Sequence, residues 1–127
     1  MRICIDLDGV ICEVRRKNQS YEDVKPLPGA IEKIQELKSK GHYIIISTSR
    51  HMKTTDGNVN KILAKVGEIT LTWLRKHKIP FDEINFGKPY AHIYIDDKAV
   101  RFSGWKKIRG DGGNLPLKKE DKEFKVK

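Results

Sequence analysis

Short apolar segments alternate with helical patterns along this chain, and that order limits its fold more than any other feature. Four apolar runs have the length and composition of buried strands: residues 2–7, 43–46, 82–86 and 92–95. Two longer segments, residues 29–40 and 60–77, carry apolar side chains at helical spacing, and Gly41 and Pro80 end them. The order strand–helix–strand–helix–strand–strand predicts an α/β domain with a mainly parallel sheet covered by helices.

Size and charge narrow the class of protein further. The 127 residues are enough for one domain, which we place at residues 1–117, followed by a basic tail or short helix at 118–127. No apolar run exceeds four residues, which excludes a membrane span, and without a signal peptide we expect a cytoplasmic protein. The net charge of +9 favours anionic partners, whether phosphorylated metabolites or nucleic acid.

Polar residues follow each predicted strand at the point where the strand ends. In chain order they are Asp6 and Asp8, then Ser47, Thr48, Ser49 and Arg50, then Lys88, and last Asp96 and Asp97. Ligands of open parallel sheets bind at the carboxyl ends of the strands, so we expect these four sets of residues to converge at one edge.

The residue types at this edge match one chemical task. Carboxylates crowded at one place need a cation, and an all-oxygen site suits Mg²⁺. The Thr48 hydroxyl and the Lys88 ammonium suit the oxygens of a phosphoryl group, and Ser49 lies beside Thr48. One carboxylate of the Asp6 and Asp8 pair could attack phosphorus while the other carries the proton of the leaving alcohol and of the attacking water.

These residues resemble the four motifs of the haloacid dehalogenase (HAD) superfamily of phosphatases. The first motif resembles Asp6-Leu7-Asp8-Gly9-Val10, the second Thr48, the third Lys88 in Gly-Lys-Pro, and the fourth Asp96-Asp97. The resemblance spans residues 1 to about 101. It implies a Rossmann-like three-layer sandwich with a mainly parallel sheet, and a phosphatase acting through an aspartyl-phosphate.

The resemblance also implies a role for each motif residue. Asp6 would be the nucleophile and Asp8 the general acid and base. Mg²⁺ would bind the side chains of Asp6 and Asp97 and the backbone carbonyl of Asp8, and we prefer Asp97 to Asp96 as the direct ligand. Thr48, rather than Ser47, would be the second-motif residue.

Spacing leaves no room for the cap domain that usually covers the site in this superfamily. Thirty-nine residues separate Asp8 from Thr48, and another 39 separate Thr48 from Lys88, and the predicted helices use most of both intervals. The chain therefore resembles a capless member. Its site would be open, closed by the substrate, or covered by a neighbouring subunit in a homo-oligomer.

A narrower resemblance suggests a substrate class. This chain resembles a group of small capless members associated with capsule or surface-polysaccharide biosynthesis. The shared features are a Ser-Thr-x-Arg second motif, a following Gly57-Asn58 and a Gly-Lys-Pro segment. This resemblance implies a phosphorylated sugar or a similar small metabolite. Arg50, Lys53 and Asn58 are candidates for substrate recognition. The alternative for Arg50 and Lys53 is that their charged groups are simply solvated.

Other functions remain open at the level of sequence. The high positive charge and the open site also suit a nucleotide or polynucleotide phosphatase. A non-catalytic phospho-receiver uses similar residues, but its acidic pair comes first and a lone acceptor Asp lies mid-chain, in contrast to the order here. A basic nucleic-acid-binding module is a third reading, in which Trp105 and its neighbouring cations would contact single strands, unless Trp105 packs on the core.

Overall fold

The computed structural model describes residues 1–50, 52, 60, 63–117 and 121, and every structural statement below concerns these residues. Its sheet has three parallel strands in spatial order β1-β2-β3: β1 is Arg2–Asp6, β2 is Tyr43–Ser47 and β3 is Glu83–Asn85. Ile3 lies opposite Ile44, and Ile46 lies opposite Ile84. The first three predicted strands are confirmed, and so is the α/β fold with a parallel sheet.

Two α-helices of the described residues lie between the strands. Helix α1 (Ala30–Ser39) follows Gly29, whose φ of +83° favours glycine, and it stops before Gly41 at φ +90°. Helix α2 (Glu68–Lys76) follows a π-helical turn, Leu63–Gly67, so this part of the second predicted helix is interrupted in its hydrogen-bond pattern. Short 3₁₀ turns at Tyr21–Asp23 and Trp105–Lys107 lie outside the helices.

The core lies on one face of the sheet. Ile5, Ile44 and Ile46 point to this face because alternate residues of a strand share a side, and they join the buried residues of both helices in one cluster. Each fully buried side chain of this kind contributes about 1.5–3 kcal/mol. The contributing helix residues are Ala30, Ile34, Leu37, Trp73 and Leu74.

Polar side chains occupy the opposite face of the sheet. The Tyr43 hydroxyl donates a hydrogen bond of 2.8 Å to Glu83, and the Arg2 guanidinium lies 3.5 Å from the same carboxylate. The Arg2 guanidinium also stacks on the Tyr43 ring at 4.3 Å. The described parts of both helices therefore pack on the face that carries Ile5, Ile44 and Ile46.

The fourth predicted strand is wrong for this single chain. Residues 92–95 form no strand, and their side chains are exposed, with Ile93 at 66% and Ile95 at 98%. Only six residues separate Asn85 from His92, whereas a parallel strand in the same sheet needs a crossover of about a dozen or more. The sequence pattern is that of a strand, but the connection is too short to return it to the sheet.

Trp105 anchors the C-terminal segment to the core. Its side chain is 3% exposed, and its indole Nε1 donates a hydrogen bond of 2.7 Å to the Val10 carbonyl. The expectation that Trp105 packs on the core is confirmed, so its ring is not available for stacking on nucleic-acid bases. Within the described part of the chain, no helix combines the length and the apolar character that crossing a membrane requires.

Candidate active site

A tight loop after β1 places two carboxylates at the carboxyl end of the sheet. The Leu7 carbonyl accepts hydrogen bonds from the N–H groups of Ile11 at 2.9 Å and Cys12 at 3.1 Å, which folds the chain back directly after the strand. Gly9 adopts φ +88° within this loop, a conformation that a side chain would strain. Asp6 ends the strand and Asp8 lies inside the loop, so both acids stay at the sheet edge.

The ends of β2 and β3 are joined to each other at the same edge. Ser47 is the last residue of β2, and Thr48, fully buried, follows it, which supports the choice of Thr48 over Ser47 as the loop hydroxyl. The Thr48 N–H donates to the Asn85 carbonyl at 2.9 Å, and the Lys88 N–H donates to the Thr48 carbonyl at 3.2 Å. These bonds fix Lys88 relative to Thr48.

Asp6 and Lys88 form a half-buried ion pair. Lys88 Nζ lies 3.5 Å from Asp6 Oδ2, and about a quarter to a third of each side chain is exposed. Burial raises the pKa of the Asp6 carboxyl above its usual range, and the Lys88 ammonium opposes that shift. Solvent therefore reaches both charged groups.

Asp8 is held by Arg50, whose guanidinium is almost fully buried. Arg50 Nε lies 3.2 Å and 3.1 Å from the two oxygens of Asp8, and Arg50 Nη2 lies 3.0 Å from Oδ1. The Thr48 hydroxyl lies 3.4 Å from Asp8 Oδ2 and accepts the Arg50 N–H at 3.1 Å. The carboxylate is therefore oriented by a bidentate contact, the strongest geometry for such a pair.

The position of Arg50 corrects both expectations for this residue. Its side chain is 1% exposed, so it is not a solvated charge, and its donors are committed to Asp8 and to the Thr70 hydroxyl at 3.0 Å. The Tyr21 ring covers the guanidinium at 4.1 Å. The geometry thus makes Arg50 a residue that positions Asp8 rather than one that recognises substrate.

Sequence reasoning missed the partners of Arg50. Thr70 is a hydroxyl on the apolar face of its helix and fully buried, which is the signal that could have indicated a buried polar contact. Tyr21 carried no such signal, because the segment before α1 has no periodicity. Both residues come from parts of the chain remote from Arg50, 20 and 29 residues away by number.

Cys12 completes the surroundings of Asp8 as an inert thiol. Its Sγ donates to Asp8 Oδ1 at 3.5 Å and its side chain is fully buried. Burial and the neighbouring Asp8 raise the pKa of the Cys12 thiol to about 12. The thiol therefore stays protonated at neutral pH, which excludes it as a nucleophile.

The structure does not bring the fourth motif to this site. Asp96 and Asp97 are exposed in the segment that forms no strand, where the Lys98 N–H donates to Asp96 Oδ1 at 2.7 Å. Among the described residues, no three His, Cys, Asp or Glu side chains are grouped so that they could hold a metal ion. The expected convergence of four strand ends is thus wrong for one chain, in which Asp6 and Asp8 are the carboxylates that the described structure brings to this edge.

The remaining candidates have separate outcomes. Ser49 is partly buried in the loop after Thr48, and its carbonyl accepts the Met52 N–H at 3.0 Å. Lys53 and Asn58 lie outside the residues that the structure describes. The structure thus brings Asp6, Asp8, Thr48 and Lys88 to one edge of the sheet.

Comparison with known proteins identifies the family and the fold of the chain. The family of haloacid dehalogenase-like hydrolases matches residues 3–70. A crystal structure of a target protein from Vibrio cholerae is similar to this chain with a TM-score of 0.72 and 35% sequence identity, over 95% of this chain and 93% of that one. No curated protein matches the sequence. On the family match and the shared fold, this chain belongs to the haloacid dehalogenase-like hydrolases.

Proposed function

We propose that this hydrolase is a Mg²⁺-dependent phosphomonoesterase that acts through an aspartyl-phosphate. The observation that carries the proposal is the grouping of Asp6, Asp8 and Lys88 at one sheet edge, with Lys88 Nζ 3.5 Å from Asp6. A nucleophilic carboxylate needs a cation beside it, because the phosphoryl oxygens that it approaches are negative. Lys88 supplies that positive charge from a fixed backbone position.

The proposed reaction has two displacements at phosphorus. Asp6 attacks the phosphorus atom, the bond from phosphorus to the ester oxygen breaks, and Asp8 gives a proton to the departing alcohol. Water then attacks the phosphorus of the aspartyl-phosphate, Asp8 takes a proton from that water, and inorganic phosphate leaves as Asp6 is restored. Arg50 keeps Asp8 oriented throughout, since three of its contacts end on that carboxylate.

The substrate we propose is a small phosphorylated metabolite, and within that class a sugar phosphate of surface-polysaccharide biosynthesis. An open site without a cap suits a small molecule that the loop residues contact directly. Mg²⁺ use is proposed from the family, whose members typically employ it. The single chain offers two of the expected carboxylates, so we assign no step of the reaction to the ion.

The test is phosphate release from a panel of sugar phosphates, nucleotides and amino-alcohol phosphates with Mg²⁺ present. Wild-type protein should release phosphate from at least one member, and EDTA should stop the reaction. Asp6→Asn should lose at least about a thousandfold in kcat because the nucleophile is removed, while its circular dichroism stays that of the wild type. The matched control is Asp111→Asn, an exposed carboxylate whose carbonyl contacts His42 just before β2 begins, at the opposite end of the sheet, and it should keep full activity. Turnover that survives both Asp6→Asn and EDTA would refute the proposal.

A polynucleotide phosphate is the second candidate, and the exposed basic segment before α1 favours it. Arg15, Arg16 and Lys17 are all exposed, in a chain of net charge +9. A protein that contacts several phosphates loses affinity steeply as salt rises. Oligonucleotide binding measured at increasing salt therefore separates the candidates: a steep loss supports a polynucleotide, and weak, salt-independent binding supports the small metabolite.

A further inference from the structure

Strand β1 has one edge without a neighbouring strand. The Met1 carbonyl accepts the Tyr43 N–H and the Leu7 N–H donates to the Ser47 carbonyl, so odd-numbered residues of β1 bond to β2. Alternation directs the backbone groups of Arg2, Cys4 and Asp6 away from β2. In the part of the chain that the structure describes, these groups make no backbone hydrogen bond. Such an edge accepts a further strand.

The same chain carries an exposed segment with the composition of a buried strand. Residues 92–97 are His-Ile-Tyr-Ile-Asp-Asp, and Ile93 and Ile95 are 66% and 98% exposed. Two isoleucines two residues apart lie on one side of an extended segment, and leaving both side chains in water is unfavourable. Exposed apolar surface of this kind, in an otherwise packed chain, indicates a contact with another molecule.

The segment is kept from its own β1 by the length of its connection. Six residues separate β3 from His92, too few for the usual crossover to a parallel strand. The Tyr94 hydroxyl donates to the Pro89 carbonyl, and Lys88 lies over the Tyr94 ring at 4.5 Å. These contacts hold the start of the segment at the carboxyl end of the sheet, where Lys88 lies, and not alongside β1.

We propose that residues 92–97 of a second copy of this chain add to the free edge of β1 as a parallel strand. The exchange is reciprocal in a two-fold dimer. If the two sheets run in opposite directions, the carboxyl edge of one lies level with the amino ends of the other's strands. The segment that leaves the first sheet then turns back at that level and runs along β1 of the second sheet from its amino end, so no crossover within one sheet is needed.

The exchange would complete the active site in trans. A parallel strand ends where β1 ends, so the incoming Asp97 would arrive beside Asp6 and Asp8 of the other copy. In one chain, Lys88 and Arg50 already balance the two acids. A third carboxylate makes the site net negative, and that excess is what a divalent cation would neutralise. This part of the inference rests on the proposed function, whereas the strand exchange does not.

A disulfide tests the exchange without reference to activity. If Ile93 and Ile95 join the apolar face of β1, Tyr94 shares the opposite face with the native, exposed Cys4. Tyr94→Cys should therefore form an oxidised dimer at twice the 14.7 kDa chain mass on a non-reducing gel. Ile93→Cys, on the other face, is the matched control and should run at the monomer mass on the same gel. Tyr94→Cys combined with Cys4→Ser should also run at the monomer mass. Untreated wild-type protein should have the dimer mass by light scattering.

Mixing two inactive variants tests the shared site. Asp6→Asn and Asp97→Asn should each be inactive alone, and refolding them together gives mixed dimers in which one of the two sites has both native residues. Random mixing should restore about a quarter of wild-type activity. A site built within one chain would recover nothing.

The outcomes separate the two proposals. A Cys4–Tyr94→Cys disulfide between chains, with restored activity on mixing, supports both. The same disulfide in a protein that hydrolyses none of the phosphates supports the exchange and refutes the proposed function. A disulfide within one chain, or a wild-type monomer that forms none, overturns the exchange.

Discussion

The pairing of Asp8 with Arg50 gives the sharpest prediction of stability, because the two side chains differ in burial. Arg50 is 1% exposed and Asp8 is 25% exposed. Removing the partner of a buried charge costs about 3–5 kcal/mol, since the remaining charge loses its compensation. Solvent reaches Asp8 but not the guanidinium, so the cost depends on which of the two is removed.

We expect Asp8→Ala to lower the free energy of unfolding by about 3–4 kcal/mol and Arg50→Met to lower it by about 1–2 kcal/mol. Asp8→Ala leaves the guanidinium with only Thr70 and the Tyr21 ring, whereas Arg50→Met leaves a carboxylate that water can still solvate. The double variant should cost less than the sum, with a coupling of about 2 kcal/mol.

Urea unfolding of the four proteins measures this cycle. The matched control is the exposed pair of Arg109 and Asp111, whose side chains are 63% and 44% exposed although their atoms approach to 2.6 Å. That cycle should show a much smaller coupling, because exposed pairs are screened by water and salt. Equal couplings in the two cycles, or Arg50→Met costing more than Asp8→Ala, would refute the reasoning from burial.

Three further predictions concern residues outside this pair. The Lys38 ammonium and the Ile44 N–H hold the pKa of Asp82 below its usual range. The unfolded chain therefore binds more protons at Asp82, and the free energy of unfolding falls as the pH drops below about 4. Asp82→Asn should flatten this part of the curve of stability against pH, measured by urea unfolding. Cys12 should resist iodoacetamide at pH 8 in the native protein and react after denaturation, as mass spectrometry of the Cys12 peptide would show; native labelling at the rate of the denatured chain would contradict its burial. Trp105→Ala should lower the free energy of unfolding by about 3–5 kcal/mol, because the ring is buried and the Val10 carbonyl loses its donor. A decrease of less than about 1 kcal/mol in the same urea measurement would show that the C-terminal segment does not stabilise the core.

Local patterns explain why much of the fold could be predicted. The spacing of Ile31, Ile34 and Leu37 defines a helical face before any contact is known, and the glycines at either end account for its limits. The short apolar runs of β1 and β2 form strands as expected, but only one face of β1 is buried, because Ile5 faces the core while Cys4 is exposed. These features depend on residues close together in the chain.

The candidate site was predicted only in part, for the same reason. Asp6, Asp8, Thr48 and Lys88 follow strands, so the topology of a parallel sheet places them at one edge, and their chemical roles stay predictions. The partnership of Arg50 with Asp8 and Thr70 joins three distant parts of the chain. No local spacing specifies that contact.

The sequence by itself determined the alternation of strands and helices and the polar residues that end the strands, because both follow from side-chain periodicity and turn chemistry within a few residues. Tertiary structure alone decided that Arg50 is buried against Asp8 and that Asp97 lies outside the single-chain site. The first depends on contacts between distant parts of the chain, and the second on how far the backbone can reach, because the six residues after β3 do not reach back to β1.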